Sequence, residues 1–235
     1  MQLFKEANRM LNQLDAVYQT HGVVNIMDAN ADGDDLLLNG KRFPLLRQQA
    51  AKLKKDDPFL CLSDFVRPLS SGITDKIGAF ATTVDAEMEQ LYAEDDYKRM
   101  LAQTLSDRLA EATAEKLHED VRKKLWGYAP DENLSVKDLH NEKYQGIRPA
   151  VGYPSLPDQS INFLLDELLD MKQIGISLTE NGMMKPHASV CGLMFAHPAS
   201  RYFSIGKIGE DQLADYAARR GMSIEETKKF LAANL

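Results

Sequence analysis

Only two cysteines, Cys61 and Cys191, occur in 235 residues, far apart and without a CxxC pair. The spacing therefore offers neither a disulfide framework nor a zinc site, and it suits a reducing compartment such as the cytoplasm. Long hydrophobic runs are missing too. No segment approaches the roughly 20 apolar residues that span a bilayer, and the opening MQLFKEANRMLNQL carries charges every few positions, unlike a secretory leader. Positive charge is in deficit, with 28 Lys and Arg against 35 Asp and Glu for a formal charge of -7. Nucleic-acid binding relies on clustered cations that release counterions, so neither nucleic acid nor membrane is an expected partner. GxSxG, GxxxxGK[ST], GxGxxG and HExxH patterns do not occur either, which removes the commonest signatures of hydrolases, phosphate-cradling enzymes, dinucleotide oxidoreductases and zinc proteases. The five histidines, His21, His118, His140, His187 and His197, form no close pair suited to one metal, and no protein metal site is expected.

What is there is an ordinary globular mixture, 44% hydrophobic and 27% charged, long enough to bury a sizeable core. Leu3, Phe4, Ala7, Met10, Leu11, Leu14, Val17 and Tyr18 recur at steps that predict an amphipathic helix from the first residues. GVVNIM, DLLLNG, FLCLSDFV and KIGAFATTV read as strands separated by turns. From Ala86 to Trp126 the periodicity is helical, with a break near Asp95-Asp96. Gly127 to Pro157 reads as an ordered loop, and loops of that length inside a domain are usually functional or disordered. SINFLLDELLDMKQIG then predicts a helix opened by Ser160, followed by strands in HASVCGLMFAHP and RYFSIGKIG and two short helices. Ser223 and Glu226 predict a capping box on the last of these. Strands grouped with helices rather than alternating with them point to an α+β fold with a mainly antiparallel sheet.

Four features carry candidate chemistry. Asp28, Asn30, Asp32 and Gly33 in DANADGDD match the first half of a calcium loop. Leu36 and Asn39 then occupy its ninth and twelfth positions, so the segment is read as a polar hairpin turn. Asp107, Glu111, Glu115 and His118 follow at steps of four, four and three, which puts them on one helix face that is either a solvated stripe or the wall of a site for a cationic or hydroxyl-rich ligand. In GIRPAVGYPSLPD, prolines frame Arg148 and Tyr153; a planar guanidinium on a stiff loop suits a carboxylate, although a structural loop with a surface Arg reads the same way. Tyr202 and Phe203, adjacent at a strand start, send their rings to opposite faces. One of them reads as core, and the other either is core as well or is free to stack on an adenine or lie beside a sulfonium.

These segments, in this order, resemble the activation domain of cobalamin-dependent methionine synthase. The resemblance runs nearly end to end and rests on LFKEANRML, LSDFVRP, IGAFATT, DRLAEATAEKLHEDVRKKLWGYAPDENLS, YQGIRPAVGYPSLPDQS, MMKPHASVCGLMFAHPASRYF and DQLADYAARRGMS. It implies a single C-shaped α+β domain over 1–235, with a twisted antiparallel sheet and S-adenosylmethionine held in a shallow groove. It further implies a repair role: inactive cob(II)alamin on a partner domain or subunit receives an electron from a flavodoxin-type reductase and a methyl group from S-adenosylmethionine. No acid, base or nucleophile of the chain itself is implied, since the reduced cobalt is the nucleophile.

Carried onto this sequence, the resemblance gives Arg148 the ligand carboxylate, with the Ala150 backbone beside it and Tyr153 shaping the loop. Glu111 takes the amino group or neighbouring polar atoms, and Tyr202 and Phe203 line the adenosyl side, where the family more often has two tyrosines. Asp107 and His118 are implied to face the docked cobalamin domain. The family also begins with a helical stretch containing a DWTPFF-like segment, whose aspartate contributes to the ligand site, and this chain starts downstream of it. The competing expectation is a docking or regulatory domain for a corrinoid methyltransferase that has lost ligand binding.

Overall fold

A computed structural model describes residues 2–49 and 57–235. One of its interior strands is β4 (Asp75–Val84), where Ile77 to Val84 are all buried. Successive side chains of a strand face opposite ways, so an apolar run such as this fits a strand covered on both sides. Ile77, Ala79 and Ala81 pack in one cluster with Ile161, Leu165 and Leu169 of α4 (Ile161–Leu169). On the other face, Phe80 meets Ala114 of α2 (Asp96–Asp120), and Val84 packs with Ala102, Ala110 and Met10 of α1 (Gln2–Asp15). β1 (Thr20–Asp32) and β7 (Ser189–Met194) flank β4, while β2 (Asp35–Leu38) and β3 (Lys41–Pro44) extend the sheet. The order is β3-β2-β1-β4-β7, and each neighbouring pair is antiparallel. Beyond it lie the short pair β5 (Ser177–Leu178) and β6 (Met184–Lys185), and the helices α3 (Val136–His140), α5 (Glu210–Arg220) and α6 (Ile224–Phe230). The chain thus has the α+β architecture expected, an antiparallel sheet with flanking helices. Among the described residues no helix is long and apolar enough to cross a membrane.

The helical stretch after Ala86 divides where Asp95 caps α2, its Oδ1 accepting the Lys98 N–H at 3.1 Å. Buried Ala102, Ser106, Ala110, Ala114 and His118 follow at intervals of four. Small side chains let the helix axis approach β4, close enough for Thr82 Oγ1 to donate to the Ala110 carbonyl at 3.0 Å. Because four residues exceed one 3.6-residue turn, the stripe drifts around the axis. It ends on His118 and then Arg122, both 0% exposed, the latter in a π-helical turn (Val121–Leu125).

Several expectations need correction. FLCLSDFV is not a strand but a 3-10 turn over Leu62–Phe65. Asp64 accepts the Cys61 N–H at 2.8 Å and two N–H groups of Arg47 at 2.8 Å, so bonds to one carboxylate replace a ladder. RYFSIGKIG forms no strand either. It is held singly, by the Phe203 N–H on Ser155 Oγ (3.1 Å), the Ile205 N–H on the Pro154 carbonyl (2.9 Å) and Gln48 on the Ser204 carbonyl (2.8 Å); Pro154 has no N–H to continue a ladder. Ser160 precedes α4 without capping it, donating instead to Asp158 Oδ2 at 2.8 Å. Of the capping box on α6 the Ser223 half forms, its Oγ accepting the Glu226 N–H at 3.2 Å. Ser223→Ala is expected to cost about 1 kcal/mol, read as a melting shift of roughly 2–4 °C; an unchanged melting temperature would show that the cap contributes nothing.

DANADGDD does turn as a hairpin, with Asp32 opposite Asp35. Asp28 binds Lys76 at 2.8 Å, Asn30 donates to the Ile73 carbonyl at 2.8 Å, and Asp32 binds Arg42 at 2.8 Å.

The segment from Gly127 to Pro157, which reads as loop in the sequence, contains the short helix α3, capped by Ser135, and has a structural role beyond connection. Residues 147–151 run along the outer edge of β7, with Ile147 and Phe195 exchanging N–H···O bonds of 3.0 and 2.9 Å. Val151 donates to Cys191 (2.9 Å) and Leu193 to Pro149 (3.1 Å). Two glycines permit this approach. A Cβ on Gly192 would lie 2.2 Å from the Pro149 oxygen, and one on Gly146, at φ +90, would lie 2.3 Å from the Phe195 oxygen.

Candidate functional site

The loop along β7 faces the middle of α2, and a cleft of about 510 Å3 opens between them, within the roughly 300–1,000 Å3 range of small-molecule sites. Glu111, Arg148, Ala150, Tyr153, Tyr202 and Phe203 all line it, although they come from three separate stretches of sequence. Phe80 of β4, Glu142, Val190 and Ser204 line it as well, and none of these was singled out from the sequence. Phe80 sits in a run that reads only as core, and Glu142, an exposed residue at φ +52, has no neighbouring motif to mark it.

Arg148 is held by its neighbours. Its Nη2 donates to Glu115 Oε2 at 2.6 Å and its Nη1 to the Tyr144 hydroxyl at 3.2 Å, while Nη1 lies 3.3 Å from His118 Nδ1. Burial opposes the charge on Arg148, but Tyr144, Glu115 and Tyr202 outweigh it and raise the pKa above its ordinary value. Ala150 sits opposite Gly192 in the pairing with β7. The bonds there run through Val151 and Pro149, an arrangement that turns Ala150's own N–H away from β7. The Tyr153 hydroxyl donates to Glu111 Oε1 at 2.7 Å.

Of the aromatic pair, Tyr202 is the one on the cleft side, 37% exposed, its hydroxyl accepting the Arg148 N–H at 3.0 Å. Phe203 packs into the core, edge-on to Phe65 at 6.3 Å, and reaches the cleft from that side.

The acidic face of α2 is not one solvated stripe. Asp107 and Glu111 are exposed, Glu115 is half-buried, and His118 is wholly buried. The helix descends beneath residues 141–150, so His118 cannot meet a docked domain, whereas Asp107 faces outward with its side chain 51% exposed. His118 is held neutral, well below its ordinary pKa, first by burial and then by the charges of Arg122 and Arg148.

Fold and cleft define a ligand-binding α+β module that offers a small zwitterion a guanidinium, two carboxylates and aromatic faces. The chain belongs to the family described as vitamin B12-dependent methionine synthase, activation domain, which it matches over residues 1–221. A solved structure described as the crystal structure of the MetH reactivation domain bound to AdoHcy is similar at a TM-score of 0.93. The two are 45% identical, over 100% of this chain and 76% of that one. The family is a domain of a methyltransferase, and its dependence on B12 implies a cobalamin-binding partner domain.

Proposed function

We propose that the cleft binds S-adenosylmethionine and presents its methyl group to cobalamin carried by the partner domain. The observation that carries this reading is the convergence of Glu111, Arg148, Ala150, Tyr153, Tyr202 and Phe203 on one cleft of ligand size. Arg148 retains donors for the ligand carboxylate, and the Ala150 N–H is available beside it. Glu111 receives the ammonium in exchange for the Tyr153 hydroxyl, and Tyr202 and Phe203 give the adenosyl group an aromatic wall. Net charge supports a sulfonium ligand. Glu111 and Glu142 line the cleft against one guanidinium that is already paired with Glu115, so the lining suits a ligand of net positive charge.

The methyl donor and the reduced cobalt supply the chemistry between them; the contribution of this chain is orientation and exclusion of water. On this reading the whole chain works as one activation domain in the cytoplasm, acts only together with its cobalamin partner, and depends on a flavodoxin-type reductase for the electron. Asp107 belongs to the surface that meets the partner.

Calorimetric titration with S-adenosylmethionine, and with S-adenosylhomocysteine as the uncharged-sulfur control, tests this. Saturable binding is expected for both, tighter for the sulfonium at low salt. No binding up to millimolar ligand would overturn the proposal and leave a docking or regulatory role.

A further inference from the structure

His118 has no place in the scheme above, yet it touches the residue on which that scheme depends. A neutral imidazole carries one N–H, and which nitrogen bears it is set by the partners. Arg148 Nη1, 3.3 Å from His118 Nδ1, has donors only, so Nδ1 is the bare acceptor. The proton then sits on Nε2, 3.4 Å from the Tyr128 oxygen to which it donates. The ring is further fixed edge-on to Tyr144, 5.1 Å between centroids at 81°.

These contacts decide which part of the guanidinium is free. His118 and Tyr144 take both hydrogens of Nη1, and Glu115 takes one of Nη2. Among the described residues the Nε–H and the second Nη2 hydrogen remain without a partner. Nε and Nη2 share an edge of the guanidinium, and that edge makes two parallel bonds to a carboxylate. A guanidinium turned by a few tens of degrees would offer one bond instead of two.

We propose that His118, as a neutral acceptor, is a positioning residue that fixes Arg148 with its Nε/Nη2 edge toward the carboxylate of the bound amino-acid ligand. This rests on the assignment of the cleft to S-adenosylmethionine, and the test separates the two. His118→Leu removes the acceptor and keeps an apolar side chain in the buried space, whereas His118→Asn places a carboxamide oxygen near the position of Nδ1. Affinities are measured for S-adenosylmethionine and for its decarboxylated analogue, which keeps the adenosyl group, sulfonium and amine.

His118→Leu is expected to weaken S-adenosylmethionine about tenfold, the scale of one hydrogen bond to a charged group, and the decarboxylated analogue much less. His118→Asn is expected to restore most of the loss. Equal weakening of both ligands would reveal a merely structural role and overturn the proposal, as would no weakening of either. If the wild type binds neither ligand, it is the functional assignment that fails. Should His118→Leu not fold, nitrogen-15 spectroscopy of the wild-type ring decides: the Nε2–H tautomer is expected throughout pH 5–8, the range in which an ordinary histidine titrates. A protonated ring or an Nδ1–H tautomer could not accept from Arg148 and would overturn the proposal.

Discussion

Replacing Glu132 with alanine is expected to destabilise the protein by about 3–5 kcal/mol, the usual result of removing one member of a buried ion pair. Arg122 is wholly enclosed and the Glu132 side chain is 8% exposed. Two parallel bonds join them, Nε to Oε2 at 2.7 Å and Nη2 to Oε1 at 2.8 Å. Without the carboxylate, the guanidinium stays out of water, with the Tyr144 ring, 4.4 Å away, to offset its charge. Its Nη1 already lacks a hydrogen-bond partner among the described residues, so no spare bond absorbs the change. Glu132→Gln keeps an acceptor in place and should lose less. Urea unfolding measures both; a midpoint in Glu132→Ala equal to that of the wild type would show that water or another carboxylate reaches Arg122. The effect should extend to the cleft, because Tyr144 stacks on Arg122 and also bonds Arg148.

Arg148→Ala is expected to weaken S-adenosylmethionine binding by about 1.5–3 kcal/mol, as for a charge-assisted hydrogen bond, or roughly 10–150-fold. Arg148→Lys should recover little of this, since an ammonium lacks the planar fork that holds a carboxylate by two bonds and bonds Tyr144 and Glu115 at once. Stability should fall less than in Glu132→Ala. The Glu115 side chain keeps 29% exposure, although its Oε1 is enclosed, so it lies closer to solvent than the wholly buried Arg122. Unchanged affinity in a folded Arg148→Ala protein, measured by calorimetry, would remove the clamp from the site.

Much of this was legible in the sequence, for identifiable reasons. α2 and its break at Asp95 follow from periodicity and a capping side chain, and the Asp32–Asp35 hairpin follows from turn chemistry, because these are local effects. Leu62–Phe65 misled because Leu60, Cys61, Leu62, Phe65 and Val66 make a nearly continuous apolar run, all of it buried as a covered strand would be, and the Asp64–Arg47 contact that makes it a turn joins distant positions. The segment after Arg201 has strand-like residues but lacks a partner edge, which no single segment can disclose. Glu111, Arg148 and Tyr202 came from resemblance supported by plausible chemistry. What was hidden is the layer behind them: Tyr144, Glu132 and Arg122 sit among charged or loop-like neighbours, where solvent exposure is the ordinary expectation. Their burial depends on the drift of the α2 stripe and on the loop folding over it.

The contact between the Arg148 loop and β7 sets when the clamp becomes ordered. Residues 147–151 share backbone hydrogen bonds with an edge of the sheet, and Gly192 allows the two backbones to meet without an intervening side chain. Such a segment opens only by giving up these bonds, which tie its order to that of the sheet. The conformational entropy of arranging the carboxylate-binding loop is therefore lost when the domain folds rather than when ligand arrives, and a free domain already holds its clamp in the geometry that an incoming ligand needs.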